Sequence, residues 1–537
     1  MKDKEFAKQY VATLSDEELC GEVLSWQFSK STTEEELLEA VKKNKISSFF
    51  ANTLPIDKIE FLKNAVKHNS KSPCLITADI ERGPIYYDEL KGYATSMMSL
   101  GAVDDEALAF EIGKYTARLS RALDLHLALS PVVDINLNPL NPVTNTRAVS
   151  DDAERVIRIA GAYGKGMRSE GNLATAVKHF PGDGVDDKNQ HFCTTVNSIS
   201  KEEWMNTYGK VYKKMIEDGT EAIMVAHIAL PWFDPTIDEC GHMPATLSKK
   251  LMTDLLKGEL GFDGCIISDA MSMIGTAARM PLEDLSVEFL RAGGDLVLFP
   301  EKDDHERILK ALSSGLLERS RLIDAAERVV ALKHRLGLFC GNGYILNNND
   351  IEETKALLTN AAQRSISLLR DYSKILPLDL KKGARVMVVT LAPGETDGND
   401  CFPHFANALE KQGFETVRLT NPTHYKINEL VDTVDAVFVN SIIDTTNGTG
   451  NSLRLSWNNM KTFWRGYLFK NKNLVFTSFG DPYKLMELPF LKTYINAYIA
   501  SDAAATAVVQ ACLGFASLEG KNPVIIPSVC NTNESSF

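Results

Sequence analysis

The 537 residues contain no CxxC or CxxxC pair, no run of five Lys and Arg, no low-complexity tract and no internal repeat. The nine cysteines are scattered singly at positions 20, 74, 193, 240, 265, 340, 401, 512 and 530. That spacing excludes zinc and dithiol redox motifs. Cys74 and Cys265 fall in apolar runs, where a free thiol packs as a small hydrophobe, and unpaired thiols in odd number fit a reducing compartment. The opening MKDKEFAKQYVATLSDEEL lacks the apolar core of a secretory signal. The most apolar stretch, 503–516, is broken by Thr506 and Gln510 and is too short to span a bilayer. A cytoplasmic protein without a membrane partner is expected. With 71 acidic against 58 basic residues the formal charge is −13, so bulk attraction for nucleic acid is absent and no nucleic-acid partner is expected.

What remains is ordinary globular composition. Apolar residues make up 44% and charged residues 24%, values that exclude a disordered or fibrous chain. The length is about three to four times the common single-domain size, so more than one domain is expected. Across the first 340 residues, short apolar runs alternate with longer amphipathic ones. The runs are VLSWQF (23–28), SSFFAN (47–52), CLITAD (74–79), LALSPVVD (127–134), ATAVKHF (174–180), AIMVAHI (222–228), CIISDA (265–270) and DLVLFP (295–300). Helical stretches such as 105–123 and 245–260 lie between them. Continuous apolar strands indicate sheet faces buried on both sides, as in parallel sheets. Eight of them alternating with helices predict a TIM-type (β/α)8 barrel over residues 1–340. Residues 304–339 read as a helical pair. Residues 341–370 read as a turn-rich linker and a connecting helix. A second alternation, RVMVVTL (385–391), AVFVNSI (436–442), NLVFTSF (473–479) and INAYIAS (495–501), predicts an α/β sandwich over 371–537.

Five of the eight barrel runs end in or beside a polar group: Asp79, Asp134, His179, His227 and Asp269. Strand C-termini form the active-site face of such barrels, and the recurrence points to a site there. In GFDGCIISDAMSM (261–273), Asp269 ends a buried strand, a placement that suits a nucleophile or a stabiliser of a cationic transition state. The same residues also read as a helix cap for AMSMIGTAARM through Ser268 or Asp269, and spacing alone leaves both readings open. In AVKHFPGDGVDDKNQHF (176–192), Lys178 and His179 end a strand and His191 closes a Gly- and Asp-rich loop. Lys and His suit hydrogen bonds to sugar hydroxyls, and a loop histidine suits proton transfer near neutrality. Asp183, Asp186 and Asp187 match no EF-hand or zinc spacing, so no metal is expected.

These segments resemble glycoside hydrolase family 3 over nearly the whole chain. GFDGCIISDAMSM is similar to that family's nucleophile signature, and KHFPGDG to the KHFPGHG motif of its β-N-acetylglucosaminidase branch. TADIERG (77–83), SPVVDINLNP with NTRAVSDD, MVAHIALP and PATLS fall in family order. AAQRSISLLRD, FGDPYKL and GKNPVIIP resemble the family's sandwich domain. The resemblance implies that Asp79, Arg147, Lys178 and His179 hold the nonreducing-end sugar and that Asp269 forms a glycosyl-enzyme. It implies that His191 is the acid/base, oriented by the residue at position 189. No cofactor is implied, and the partner is a small carbohydrate or glycoside. The sequence carries no signal for an oligomeric state.

Two positions depart from the pattern. Asn189 stands where the branch has an aspartate, and Asp183 where it has a second histidine. An amide can orient an imidazole but does not stabilise its cation. Asp183 matches the β-glucosidase form KHFxGDG, whose members usually take the acid/base from a sandwich-domain glutamate. The corresponding stretch here, NSIIDTTNGTGNSLRLS (440–456), contains no glutamate, which favours His191. The expected activity is a retaining, exo-acting release of β-N-acetylglucosamine. The alternatives are a β-glucosidase or other family 3 glycosidase, a phosphorylase, and a sugar-binding protein without turnover.

Overall fold

The computed structural model describes residues 2–28, 31–51, 56–170, 173–341, 344–394, 400–444 and 455–527. These form two compact units. The first comprises Met1–Pro84, Ala109–Ile135 and Val156–Asp350, and the second Ile85–Leu108, Asn136–Arg155 and Ile351–Phe537.

The first unit is built on eight parallel strands: β1 (Leu24–Gln27), β2 (Ser48–Phe50), β3 (Leu75–Ala78), β4 (Leu127–Ala128), β5 (Ala174–Phe180), β6 (Ala222–Val225), β7 (Cys265–Ser268) and β8 (Val297–Leu298). They pair in chain order, β8 returns to β1, and a parallel bridge from Ile267 to Leu296 draws β7 beside it. The sheet is thus a nearly closed barrel. Strands β5, β6 and β7 are buried along their whole length, as unbroken apolar strands should be when helices cover one face and the barrel interior fills the other. Leu127, Ala174, Ala222 and Cys265 pack in one cluster with Val329 and Leu332 of the helix Arg319–Arg335.

Strand β4 is shorter than its apolar run because Pro131 supplies no ladder donor. Pairing resumes beyond it, where Val132 bridges Lys178 and the Val133 N–H donates to the Lys178 carbonyl at 2.9 Å. That resumption sets Asp134 beside the end of β5.

The second unit holds a mixed sheet of β9 (Ser367–Asp371), β10 (Arg385–Leu391), β11 (Glu415–Thr420), β12 (Ala436–Ser441), β13 (Leu474–Ser478) and β14 (Thr493–Asn496). The order is β9-β14-β13-β12-β10-β11, with only the β9–β14 pair antiparallel. Alternate residues serve opposite faces: Met387, Val389 and Val437 enter one core, Val386, Val388 and Phe438 the other. This two-sided burial makes a sandwich. Two early segments belong to this unit. Met98 and Ala102 join its core, the Ser96 hydroxyl donates to the Tyr498 carbonyl at 3.1 Å, and the Ile525 N–H donates to Asp151 Oδ2 at 2.6 Å. No helix among the described residues is long and apolar enough to cross a membrane.

Candidate active site

The C-terminal ends of four barrel strands carry all but Asp134 of the polar groups that the sequence singled out. Beyond β3 stands Asp79, at the end of β5 Lys178 and His179, beyond β6 His227, and beyond β7 Asp269. The Lys178 ammonium, whose side chain is 3% exposed, meets Asp79 Oδ1 at 3.1 Å and Glu81 Oε1 at 2.6 Å. Two carboxylates fix the direction of this buried ammonium. Asp134 serves the neighbouring residue. Its Oδ2 accepts a hydrogen bond from His179 Nδ1 at 2.6 Å, while its Oδ1 accepts from the His179 N–H at 3.1 Å and the Asp183 N–H at 2.8 Å. The ring is thereby fixed with Nδ1 toward the carboxylate.

Asp269 is half-buried, and its Oδ1 accepts from the Ala270 N–H at 2.8 Å. Burial alone would raise the carboxyl. The positive charge available at His227, His179 and Lys178, with the Ala270 N–H, outweighs burial and holds it below the usual carboxylate range. Burial pushes the His227 imidazole down, against the opposing pull of Asp269 and the Ala270 carbonyl. The capping alternative fails on geometry. The short helix Ile274–Ala277 has Met273 at its N-cap without a side-chain cap, and Ser268 Oγ instead accepts from the Leu298 N–H of β8 at 2.8 Å.

The loop after β5 is pinned at both ends. Trp204 Nε1 donates to the Pro181 carbonyl at 2.9 Å, and the Tyr208 hydroxyl to the Asp183 carbonyl at 2.7 Å. Gly182 lies at φ +119°, where an added Cβ would stand 2.2 Å from the Tyr208 ring, so only glycine fits. The acidic residues here hold the loop: Asp183 Oδ1 accepts from the Gly184 N–H, and Asp186 from the N–H groups of Lys188 and Val196. At the far end, Asn189 Oδ1 accepts from the His191 N–H at 2.9 Å and from His191 Nδ1 at 2.6 Å. Because the carboxamide oxygen can only accept, Nδ1 carries a proton in this contact. His191 is exposed. Its loop is tied to the turn after Asp269, where Thr194 Oγ1 donates to the Gly275 carbonyl at 2.7 Å and Arg279 Nε to Thr194 Oγ1 at 3.0 Å.

The barrel unit therefore brings together Asp79, Lys178, His179 and Asp269, with the Asn189–His191 pair on an adjoining loop. Arg147 belongs to the second unit. It closes a 3-10 turn, Asn145–Arg147, whose Thr146 hydroxyl donates to Asp444 Oδ1 at 3.3 Å. Of the glutamate-free stretch 440–456, residues 445–454 lie outside the described residues.

A family model described as the glycosyl hydrolase family 3 N terminal domain matches residues 16–332. The chain belongs to glycosyl hydrolase family 3. A β-N-acetylglucosaminidase/β-glucosidase of Cellulomonas fimi is 30% identical to this family 3 chain over 479 residues, 84% of this chain and 83% of that protein. Among solved structures, a β-glucoside phosphorylase bound to 2FGlc superposes with a TM-score of 0.87 at 30% identity, covering 98% of this chain and 96% of that one. A family 3 β-N-acetylglucosaminidase from Paenibacillus sp. FPU-7 shares the two-domain fold, with a TM-score of 0.82 at 24% identity over 96% of this chain and 99% of that one. The protein is a family 3 glycosidase.

Three groups in this family 3 site had no partner assigned from sequence. Glu81 sits inside TADIERG but gave no sign that it shares Lys178. Asp134 and His227 stood out only as polar strand ends. Their partners emerge from strand register, which pairs β4 with β5 and β6 with β7.

Proposed function

We propose that the protein is a retaining, exo-acting β-glycosidase that releases nonreducing-end β-N-acetylglucosamine. The observation that carries this reading is Asp269: a half-buried carboxylate held low in its pKa at the end of β7, aimed by the Ala270 N–H and facing Lys178 and His179. Asp79, Lys178 and His179 hold the sugar hydroxyls. In the first step an Asp269 oxygen bonds to the anomeric carbon as the glycosidic C–O bond breaks, and His191 Nε2–H gives its proton to the leaving oxygen. In the second step water attacks the anomeric carbon, its proton passes to His191, and Asp269 departs as a carboxylate. The name of the Cellulomonas fimi relative supports N-acetylglucosaminide and glucoside as the sugars to test.

Phosphorolysis is the second reading, favoured by one feature. The group bonded to His191 is the neutral Asn189, so an incoming phosphate meets no carboxylate on that residue. The solved structure named a β-glucoside phosphorylase supports including this acceptor.

A 2-fluoro glycoside with an activated leaving group should label Asp269, and Asp269→Asn should abolish both labelling and turnover. Labelling elsewhere, or a product of inverted anomeric configuration, would sink the reading. A panel of 4-nitrophenyl β-glycosides of N-acetylglucosamine, glucose, glucosamine and xylose, run with and without phosphate, separates the sugars and acceptors. A glycosyl phosphate seen by phosphorus NMR would select the second reading.

A further inference from the structure

His227 stands where the nucleophile's turn meets the loop of the acid/base. Its Nε2 donates to the Ala270 carbonyl oxygen at 3.0 Å. The peptide on the other side of the Ala270 Cα turns its N–H onto Asp269 Oδ1 at 2.8 Å. Nδ1 meets Thr246 Oγ1 at 3.0 Å and Thr276 Oγ1 in a shorter contact. All three side chains are fully or almost fully buried. A carbonyl can only accept, so the proton is on Nε2 and Nδ1 is the acceptor for threonine hydroxyls. The residue's main chain faces the other way. The His227 carbonyl accepts from the Thr195 N–H at 3.2 Å, four positions beyond His191. A Cβ added at Gly275 would stand 3.1 Å from the His227 Cβ, so the ring's own stem closes the space under the turn.

We propose that His227 is a positioning residue for the nucleophilic step: it clamps the Ala270 backbone whose N–H aims Asp269, and its main chain anchors the loop that carries His191. The proposal rests on the reading of Asp269 as the nucleophile. A buried ring with both nitrogens engaged has one orientation, and it passes that rigidity to the carboxylate through a single residue of backbone. Loss of the clamp frees the Ala270 N–H to drift. Asp269 then loses both direction and one stabiliser of its charged form, while the sugar contacts of Lys178 and Asp79 stay in place. The charged or titratable groups facing Asp269 are His227, His179 and Lys178, and those facing His227 are Asp269 and His179.

The test measures the rate of Asp269 labelling by the activated 2-fluoro glycoside in His227→Phe, His227→Gln and Thr276→Val. Misplacement of a reacting group by about 1 Å costs on the order of 10²-fold, so His227→Phe is expected to slow labelling by about that factor with KM held within about twofold. His227→Gln, whose amide N–H can reach the Ala270 carbonyl, is expected to recover about tenfold of this loss. The acid limb of kcat/KM should move to higher pH in His227→Phe, because Asp269 loses a donor to its ionised form. Labelling of His227→Phe at the wild-type rate overturns the proposal, as does equal slowing of the Phe and Gln variants with the limb unmoved. Should His227→Phe fail to fold, Thr276→Val carries the test. Removing one hydroxyl from Nδ1 is expected to slow labelling about fivefold, and an unchanged rate and limb overturns the proposal. Absence of label at Asp269 in the wild type is a separate outcome that overturns the nucleophile assignment itself, and the proposal with it.

Discussion

A carboxamide oxygen 2.6 Å from His191 Nδ1 orients the ring without giving it a counter-charge. Asn189→Asp would add that charge and stabilise the imidazolium, so the alkaline limb of the rate profile should move to higher pH. General acid assistance is worth roughly 10²–10⁴-fold, so His191→Ala should slow glycosides with poor leaving groups by about that range and spare activated nitrophenyl glycosides. Equal slowing of both substrate types, or an unmoved limb in Asn189→Asp, would place the acid/base on another group. At this scale much of the barrel cluster was legible in the sequence. Asp79, Lys178, His179 and Asp269 stood out as polar groups ending apolar runs, and the structure gathers them. Glu81 and Asp134 were not assigned because a side chain's partner becomes visible only after folding. Lys178 and Asp79 are separated by 99 positions and His179 and Asp134 by 45, and no local pattern carries such a pairing.

In the short helix Ile274–Ala277 beyond β7, Gly275 closely approaches the loop that carries His191. A Cβ at Gly275 would meet the Gln190 carbonyl at 2.6 Å and the Cys193 carbonyl at 2.9 Å. Gly275→Ala must therefore push the loop away, at a cost in stability of about 1–3 kcal/mol. Its loss of turnover, roughly tenfold or more, should fall on substrates with poor leaving groups, because on the proposed mechanism the loop carries the proton donor and the strands carry the sugar contacts. Equal losses on activated and unactivated glycosides would refute this division of labour. Barrel strands were easy to find, since burial on both faces writes a continuous apolar run. Strand β11 passed unnoticed for the converse reason. ETVRLT lies at the edge of its sheet with its residues only partly buried or exposed, so it lacks an apolar signature. The run at 127–134 overstated its strand because Pro131 interrupts the ladder that the flanking valines later resume.

For the molecule as a whole, buried histidines set the response to acid. Burial, helped by Arg121, Lys63 and Lys333, pushes His126 well down, and its Nδ1 accepts from the Ile76 N–H at 3.0 Å. Burial lowers His227 and His305 as well. The unfolded chain takes up protons on these rings below about pH 6.5 while the folded chain still excludes them. Stability is therefore full above that pH and falls as the solution is acidified, each ring contributing up to about 1.4 kcal/mol per pH unit. The raised carboxyls of Glu221, Asp151 and Asp304, lifted by burial, oppose this nearer the carboxylate range. Melting midpoints recorded from pH 7 to 5.5 should fall, and fall less steeply in His126→Gln; parallel slopes would refute the assignment. Two units were foreseeable from length and from the change of pattern near residue 340. The membership of 85–108 and 136–155 was not, because it rests on contacts with residues hundreds of positions later, such as the Lys521 N–H on the Ala102 carbonyl at 2.9 Å. The Asn189–His191 pair is the opposite case. It is closed within three consecutive positions of one exposed loop, whereas the grip on Lys178 and His179 is assembled from distant strands. On the proposed mechanism, point changes in that loop alone can therefore alter how the leaving group departs and which acceptor replaces it. Changing the grip on Lys178 or His179 would need several coordinated substitutions on separate strands.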